Sequence, residues 1–154
     1  MTIENIVKSA SLTLSKRTVL NIIYTQIVIA EKFNEVLKPF DLSGEQFNVL
    51  RILRGQKGAP ANMSLIQERM LARTSNTTRL VDKLLLKGYV TREVCPGNRR
   101  KIEVKITQRG LDLLTEVDPK VEDYEQCFTS KLSGTELETL NALLEKFRCG
   151  DDER

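Results

Sequence analysis

The sequence predicts a mainly α-helical protein with one small β-hairpin. Over most of the 154 residues, apolar side chains recur every three or four positions, as they do on one face of a helix. Alternation of apolar and polar residues, the periodicity of strands, is concentrated in residues 89–107. Two Ser-x-x-Gln/Glu pairs, typical of helix N-termini, precede apolar stretches on either side of this segment.

A long helix is expected in the N-terminal part of the chain, after a short helical turn near Ile3–Val7. It runs from about Ser15 to Leu37 and ends before Pro39, because proline lacks the N–H that a continuing helix needs. Its apolar positions form one stripe: Val19, Ile22, Ile23, Ile27, Phe33, Val36 and Leu37.

Two shorter helices follow the long one. The second helix begins after Ser43, which forms a capping box with Gln46, and it closes near Gly55. The third helix lies within "NMSLIQERMLA". Four of its apolar residues are expected to face inward: Leu65, Ile66, Met70 and Leu71.

A fourth helix and the hairpin come next. The segment "RTSNTTRLVDKLLLKG" opens on a polar cluster suited to capping, so this helix is predicted to start at Thr74 and stop at Gly88. Its inward residues are expected to be Thr77, Leu80, Val81 and Leu84. In the hairpin, Pro96-Gly97-Asn98 supplies the turn between two strands.

Two more helices are expected after the hairpin. Thr107 is placed to cap a long helix, which Pro119 either kinks or interrupts. Ser133 and Glu136 form the second capping box, before a last helix whose inward residues are Leu140, Leu144 and Phe147. Three short helices followed by a hairpin make a winged helix-turn-helix domain, so the sequence predicts this domain with further helices on both sides.

Positive charge is concentrated in the middle of the chain. Residues 69–109 carry eleven Lys/Arg against three Asp/Glu, a net charge of +8, whereas residues 1–68 have +2 and residues 110–154 have −7. The basic segment includes both the fourth helix and the hairpin. Because concentrated positive charge favours a polyanionic partner, we predict that these two elements bind double-stranded DNA.

The fourth helix is the predicted base-reading element. In a helix-turn-helix, the second helix presents its N-terminal residues to base edges in the major groove. Asn pairs bidentately with adenine and Arg with guanine, while hydroxyl groups and flanking cations bind phosphates. Taken alone, this polar cluster is equally well explained as a helix start rich in capping residues. The predicted DNA contacts are Arg73, Thr74, Ser75, Asn76, Thr78, Arg79 and Lys83.

The hairpin is predicted to lay its tip along the minor groove, whose negative potential attracts inserted arginine. One cation would be enough to protect an exposed strand edge from aggregation, so three consecutive cations favour contact with the groove. The predicted contacts from the tip are Asn98, Arg99, Arg100 and Lys101.

Composition argues against several classes of function. The chain has no histidine, the commonest general base and transition-metal ligand, and we expect no enzyme activity, metal site or cofactor. Three widely spaced cysteines do not form a disulfide framework. Neither a membrane span nor a signal peptide is expected, so the predicted location is the cytoplasm.

The order of these motifs resembles the MarR (multiple antibiotic resistance regulator) family of bacterial transcriptional regulators, from about Ser15 to Phe147. The resemblance rests on "LSGEQFNVLRIL", on "TTRLVDKLLLKGYVTRE" and on "ITQRG" after the wing. One position departs from the family pattern. The wing of the family usually carries Asp-x-Arg, whereas Asn98-Arg99-Arg100 here puts an amide where a carboxylate would orient Arg100 by a charge-assisted hydrogen bond.

The resemblance implies one domain over residues 1–154, with the winged helix-turn-helix at 40–109 and dimerisation helices at 1–39 and 110–150. It also implies a homodimer on a pseudo-palindromic operator, most often a repressor, and a small aromatic effector bound between the dimerisation and DNA-binding regions. The apolar stripes of the flanking helices exceed what one small winged domain covers, which fits a two-fold contact between chains. An intramolecular helical bundle is the alternative.

Two other interpretations stay open. A winged-helix adaptor that binds proteins would share the fold without a DNA role, although the +8 segment argues against it. A redox-responsive regulator would use Cys95, which sits beside the wing turn among cations, a setting typical of reactive thiols. The alternative for Cys95 is a small packing residue.

Overall fold

The computed structural model describes residues 2–9, 11–72 and 76–148, and its elements confirm the predicted fold class. The helices in these residues are α1 (Ile3–Val7), α2 (Leu14–Leu37), α3 (Gly44–Arg54), α4 (Met63–Arg69), α5 (Thr77–Leu86), α6 (Gln108–Thr129) and α7 (Gly134–Arg148). The strands are β1 (Ala61–Asn62), β2 (Val90–Cys95) and β3 (Asn98–Ile106). A 3₁₀ turn, Lys38–Phe40, joins α2 to α3. The long helix α6 continues through Pro119.

Local side-chain hydrogen bonds determine where the helices begin. At the start of α3, the Ser43 hydroxyl accepts from the Gln46 N–H and the Gln46 side chain accepts from the Ser43 N–H, both at 3.1 Å. At the start of α7, the Glu136 carboxylate accepts from the Ser133 N–H at 2.8 Å. Both predicted capping boxes are therefore confirmed, and each cap contributes about 1 kcal/mol to helix stability.

The sheet has three strands, whereas the sequence pattern predicts only the two of the hairpin. The strand order is β1-β3-β2, and all pairs are antiparallel. The extra strand β1 pairs Ala61 with Val104 and Asn62 with Glu103. Two residues are too few to show an alternating pattern, so the sequence gives no sign of β1, and only its pairing with β3 identifies it as a strand.

The hydrophobic core lies between α3, α4, α5 and the inner face of the sheet, and the first half of α6 closes it. Its fully buried large side chains are Leu37, Val49, Leu50, Leu53, Ile66, Val81, Leu84, Val90, Val104, Leu114 and Val117. The four residues of α5 that were predicted to face inward are all buried. Burial of one such aliphatic side chain contributes about 1.5–3 kcal/mol, so this core holds α5 firmly against α3.

Two details of the predicted helices are wrong. Leu71 is 94% exposed rather than inward, because α4 ends at Arg69 and Met70 takes an extended conformation that breaks the helical repeat. Helix α5 begins at Thr77 rather than Thr74, with Asn76 as its N-cap residue. A polar run predicts that a helix starts nearby. It does not specify the first helical residue, because several side chains in the run are equally able to act as the N-cap.

The last helix departs from the sequence prediction as well. Leu140 and Phe147 of α7 were expected to face inward, yet they are 43% and 58% exposed. No described part of the same chain covers this apolar side. Apolar side chains of α2 are similarly exposed, among them Val19, Ile23 and Ile27. No described helix combines the length and the apolar character needed to cross a membrane.

Candidate nucleic-acid interface

The outward face of α5 carries the described part of the predicted base-reading set. Thr78, Arg79 and Lys83 are exposed, on the side opposite the buried stripe of the helix. Asn76 is exposed too, but its Oδ1 accepts the Arg79 N–H at 3.1 Å. This hydrogen bond makes Asn76 the N-cap of α5, and it leaves the second lone pair of the oxygen and the NH₂ group for a base edge. The remaining predicted contacts, Arg73, Thr74 and Ser75, lie outside the described residues.

A break in the strand register brings the predicted wing cations to the hairpin tip. Val94 pairs with Ile102 and Cys95 with Asn98, so three residues of β3 lie between two consecutive pairs. Those three residues, Arg99, Arg100 and Lys101, are exposed and have no partner in this register. Such a bulge bends a strand and turns side chains away from the ladder. The hairpin tip is therefore a compact group of exposed positive charge.

Asn98 organises the backbone of this bulge. Its Oδ1 accepts the Arg100 backbone N–H at 3.1 Å. The hydrogen bond reaches the backbone of Arg100, so the Asn98 amide stabilises the turn. Among the described residues, no ion pair engages Arg99, Arg100 or Lys101. All three charges are available to a polyanion.

Ion pairs link elements that lie far apart in the sequence, and no sequence pattern indicated them. Arg92 Nη1 of β2 lies 2.5 Å from Asp82 Oδ1 of α5. Lys87, directly after α5, binds Asp41, which follows the 3₁₀ turn. The Lys87 Nζ lies 2.9 Å from the Asp41 Oδ2 and also donates a hydrogen bond to the Asp41 backbone carbonyl. A third pair, Arg54 with Asp118, joins α3 to α6. The partners lie 10 to 64 positions apart in the sequence, so no short motif contains both residues of a pair.

The segment "ITQRG" forms the joint between α5, the wing and α6. The Thr107 hydroxyl donates to the Gly88 carbonyl at 2.8 Å and accepts the Gly110 N–H at 3.1 Å, while the Thr107 N–H donates to the Tyr89 carbonyl at 3.0 Å. Gly88 has φ +74°, in the left-handed region where glycine is favoured. A Cβ on Gly110 would lie inside van der Waals contact of the Tyr89 carbonyl. The motif is therefore explained by close packing of two backbones.

An apolar cavity of about 470 Å³ lies between α2, α3 and the segment that leads toward α5. Phe33, Phe47 and Met70 line its apolar part, and Asn48 and Arg51 bring polar groups to it. This size and this lining suit a small organic ligand. A larger cleft of about 840 Å³, between α2 and α5, is lined mainly by charged and polar side chains and is more open.

Within the described residues, no three Cys, Asp or Glu side chains gather as they would around a metal ion. Cys95 is a free thiol, half-buried at the end of β2, and Cys127 is a free, exposed thiol on α6. Neither observation tests a redox role for Cys95, which stays a prediction.

Comparisons with known proteins identify relatives that match about three quarters of this chain. The model of the MarR family matches residues 42–102. The multiple antibiotic resistance protein MarR of Escherichia coli K12 is 32% identical over 114 residues, which are 73% of this chain and 78% of that protein. The transcriptional repressor MprA of the same organism is 26% identical over 123 residues, covering 80% of this chain and 70% of MprA. These relatives are regulators of transcription and not enzymes.

Among solved structures, a mutant of Escherichia coli MarR in complex with operator DNA superposes with a TM-score of 0.73. The two sequences are 29% identical, and the match covers 82% of this chain and 89% of that one. The matched fold is therefore that of a protein that was crystallised in complex with its operator DNA.

Proposed function

Since this chain belongs to the MarR family of DNA-binding transcriptional regulators, we propose that it is a repressor that binds a pseudo-palindromic operator as a homodimer. The observation that carries the proposal is its likeness to MarR on operator DNA, at 29% identity and a TM-score of 0.73. The name of MprA, a transcriptional repressor, supports repression as the direction of control. A regulator that acts on chromosomal DNA works in the cytoplasm.

The proposed DNA contacts come from two elements of residues 40–109. Helix α5 enters the major groove, where Arg79 reads a base edge and Thr78 and Lys83 contact phosphates or bases. The segment before α5, with Arg73, Thr74, Ser75 and Asn76, completes that set. The hairpin tip, with Asn98, Arg99, Arg100 and Lys101, follows the minor groove. Exposure of every described member of this set supports the assignment.

Dimerisation through residues 1–39 and 110–150 explains the uncovered apolar faces of α2 and α7. On these two helices, apolar side chains are 40–60% exposed. Such a surface suits a contact between identical chains, because a two-fold contact buries the same apolar face of both chains. The dimer would set its two α5 helices about one DNA turn, on the order of 34 Å, apart. An operator with two inverted half-sites follows from that symmetry.

A small aromatic effector is proposed to bind in the cavity of about 470 Å³. Phe33 and Phe47 meet there edge to face, with ring centroids 5.6 Å apart, and they offer a surface for another aromatic ring. Met70 follows α4 directly, begins the segment that leads toward α5 and lines the same cavity. A ligand that moves Met70 would therefore disturb the start of the base-reading helix, which connects effector binding to release of DNA.

The experiment that tests the proposal is selection of random duplex DNA by the purified protein. Enrichment of an inverted repeat with half-sites about one turn apart is the expected result. Sedimentation of the protein, alone and with the enriched duplex, should show two chains in each case. Binding without enrichment, or binding by one chain, would refute a dimeric sequence-reading repressor, and absence of binding would favour the adaptor.

A reporter gene placed behind the enriched repeat tests the direction of control. Expression should fall when the protein is produced, and it should recover on addition of a simple phenolic acid that shifts the melting temperature of the purified protein. Activation of the reporter would overturn repression while leaving DNA recognition intact.

A further inference from the structure

The wing leaves the body of the domain at Arg92. Successive residues of β2 point to alternate faces of the sheet. Val90, Arg92 and Val94 lie on one face, together with their paired residues in β3, Ile106, Val104 and Ile102. Val90 is buried in the core, whereas Val94 is 57% exposed. Arg92 therefore stands where this face of the sheet passes from core to solvent. Beyond Arg92, the hairpin has little support from the body.

At this boundary Arg92 meets Asp82, on the outward face of α5. The Arg92 Nη1 donates to the Asp82 Oδ1 at 2.5 Å, and both side chains remain partly exposed, at 35% and 48%. Among the described residues, this is the ion pair that joins a wing side chain to the base-reading helix. Arg92 has its charge directed to Asp82, whereas the three cations of the tip form no ion pair with any residue that the structure describes.

We propose that Asp82 and Arg92 are positioning residues that set the angle of the wing relative to α5, and so determine how strongly the protein distinguishes the sequences flanking each half-site. This inference rests on the proposed DNA recognition by α5 and the wing. Asp82 then acts through Arg92 and reads no base. It also occupies a place where an unpaired carboxylate would be repelled by phosphates, and the pairing neutralises that charge.

A small change in the angle of the wing moves its tip by several ångströms, because the tip lies far from Arg92. From Arg92 to the turn after Cys95 the strand rises about 10 Å, so a tilt of about 15° displaces the tip by roughly 3 Å. A displacement of that size removes a cation from hydrogen-bonding distance of a groove edge. Narrow A·T-rich minor grooves have the strongest negative potential, so correct placement of the tip favours A·T-rich flanks.

The expected size of the effect follows from the exposure of the pair. Ion pairs with this exposure change an equilibrium by a factor of up to about five, and screening by salt reduces that factor further. Loss of either partner should therefore lower the preference for A·T-rich over G·C-rich flanks by about two- to fivefold at low salt. The ratio of two dissociation constants is the informative quantity, because a general change in charge affects both duplexes equally and cancels.

The test uses the full chain and two duplexes that share the selected half-sites and differ only in their flanks. Asp82→Asn, Arg92→Ala and the double variant should reduce the flank ratio to the same extent, because the pair acts as one unit. Arg92→Lys keeps a cation within reach of Asp82 and should retain part of the ratio. Lys105→Ala is the matched control, since it removes an exposed cation from the other face of the same sheet; it should leave the ratio unchanged.

Amide hydrogen exchange of the free protein provides a second readout that needs no DNA. Residues 93–103 should exchange faster in Asp82→Asn and Arg92→Ala than in the wild type, while α3 and α5 keep their protection. Unchanged exchange in the wing, additive losses in the double variant, or a reduced flank ratio for Arg92→Ala alone would each overturn the proposal. Failure of the wild type to select any duplex would instead refute DNA recognition, while exchange would still report whether the pair holds the wing.

Discussion

Replacing Gly110 by alanine tests the joint between α5, the wing and α6. Gly110 lies in the first turn of α6, and its N–H is bound by the Thr107 cap. A Cβ at this position would lie 2.8 Å from the Ile106 Cγ1 and would overlap the Tyr89 carbonyl. That carbonyl is held in place because it accepts the Thr107 N–H at 3.0 Å. The obstacle is therefore backbone that cannot move without loss of a hydrogen bond.

The magnitude follows from three contributions. Alanine is favoured over glycine in a helix by about 1 kcal/mol, so helix propensity alone predicts stabilisation. Overpacking costs about 1–3 kcal/mol. Weakening of the hydrogen bond from Thr107 to Tyr89 costs about 0.5–1.5 kcal/mol more. We expect Gly110→Ala to lower the free energy of unfolding by about 1–3 kcal/mol.

Urea unfolding at one fixed protein concentration measures this difference, because the stability of an associating chain depends on its concentration. Gly134→Ala is the matched control: Gly134 also lies in the first turn of a helix, but a Cβ there would meet nothing within 4 Å. This control should be neutral or stabilising by up to about 1 kcal/mol. If Gly110→Ala were as stable as the wild type, the close approach of Gly110 to Tyr89 would not explain the motif.

Three further predictions concern DNA binding and pH. Arg79→Ala should lose about 1–3 kcal/mol of binding free energy and relax the preference at one base pair of the selected site; equal weakening on every sequence would make Arg79 a phosphate contact. Arg100→Ala should weaken binding and reduce the slope of log K against log salt by about 1, and an unchanged slope would remove Arg100 from the DNA. Hydrogen bonds from the Ser133 N–H and hydroxyl hold the pKa of Glu136 below its ordinary value of 4.5, so this group stabilises the folded state above its unfolded pKa. That contribution should disappear as the pH falls through the lowered folded-state pKa, and Glu136→Gln should lack this part of the acid dependence in unfolding measured from pH 6 to pH 3.

The sequence alone determined the elements whose causes lie within a few residues. The capping boxes at Ser43 and Ser133, the cap at Thr107 and the buried stripe of α5 were all predicted correctly. Each depends on side chains three or four positions apart, which meet in any helix that forms there. The cluster of cations at the hairpin tip is likewise a local feature, because Arg99, Arg100 and Lys101 adjoin the turn.

Tertiary structure decided the features that depend on distant partners. Strand β1 exists because Val104 and Glu103 lie beside it. Leu71 was predicted to face inward, and this prediction was wrong because Met70 leaves the helical conformation. The pairing of Asp82 with Arg92 requires α5 and β2 to pack at one angle, which the core sets and no short motif encodes. Local spacing specifies what each segment becomes, whereas the packing of segments against one another specifies which side chains meet.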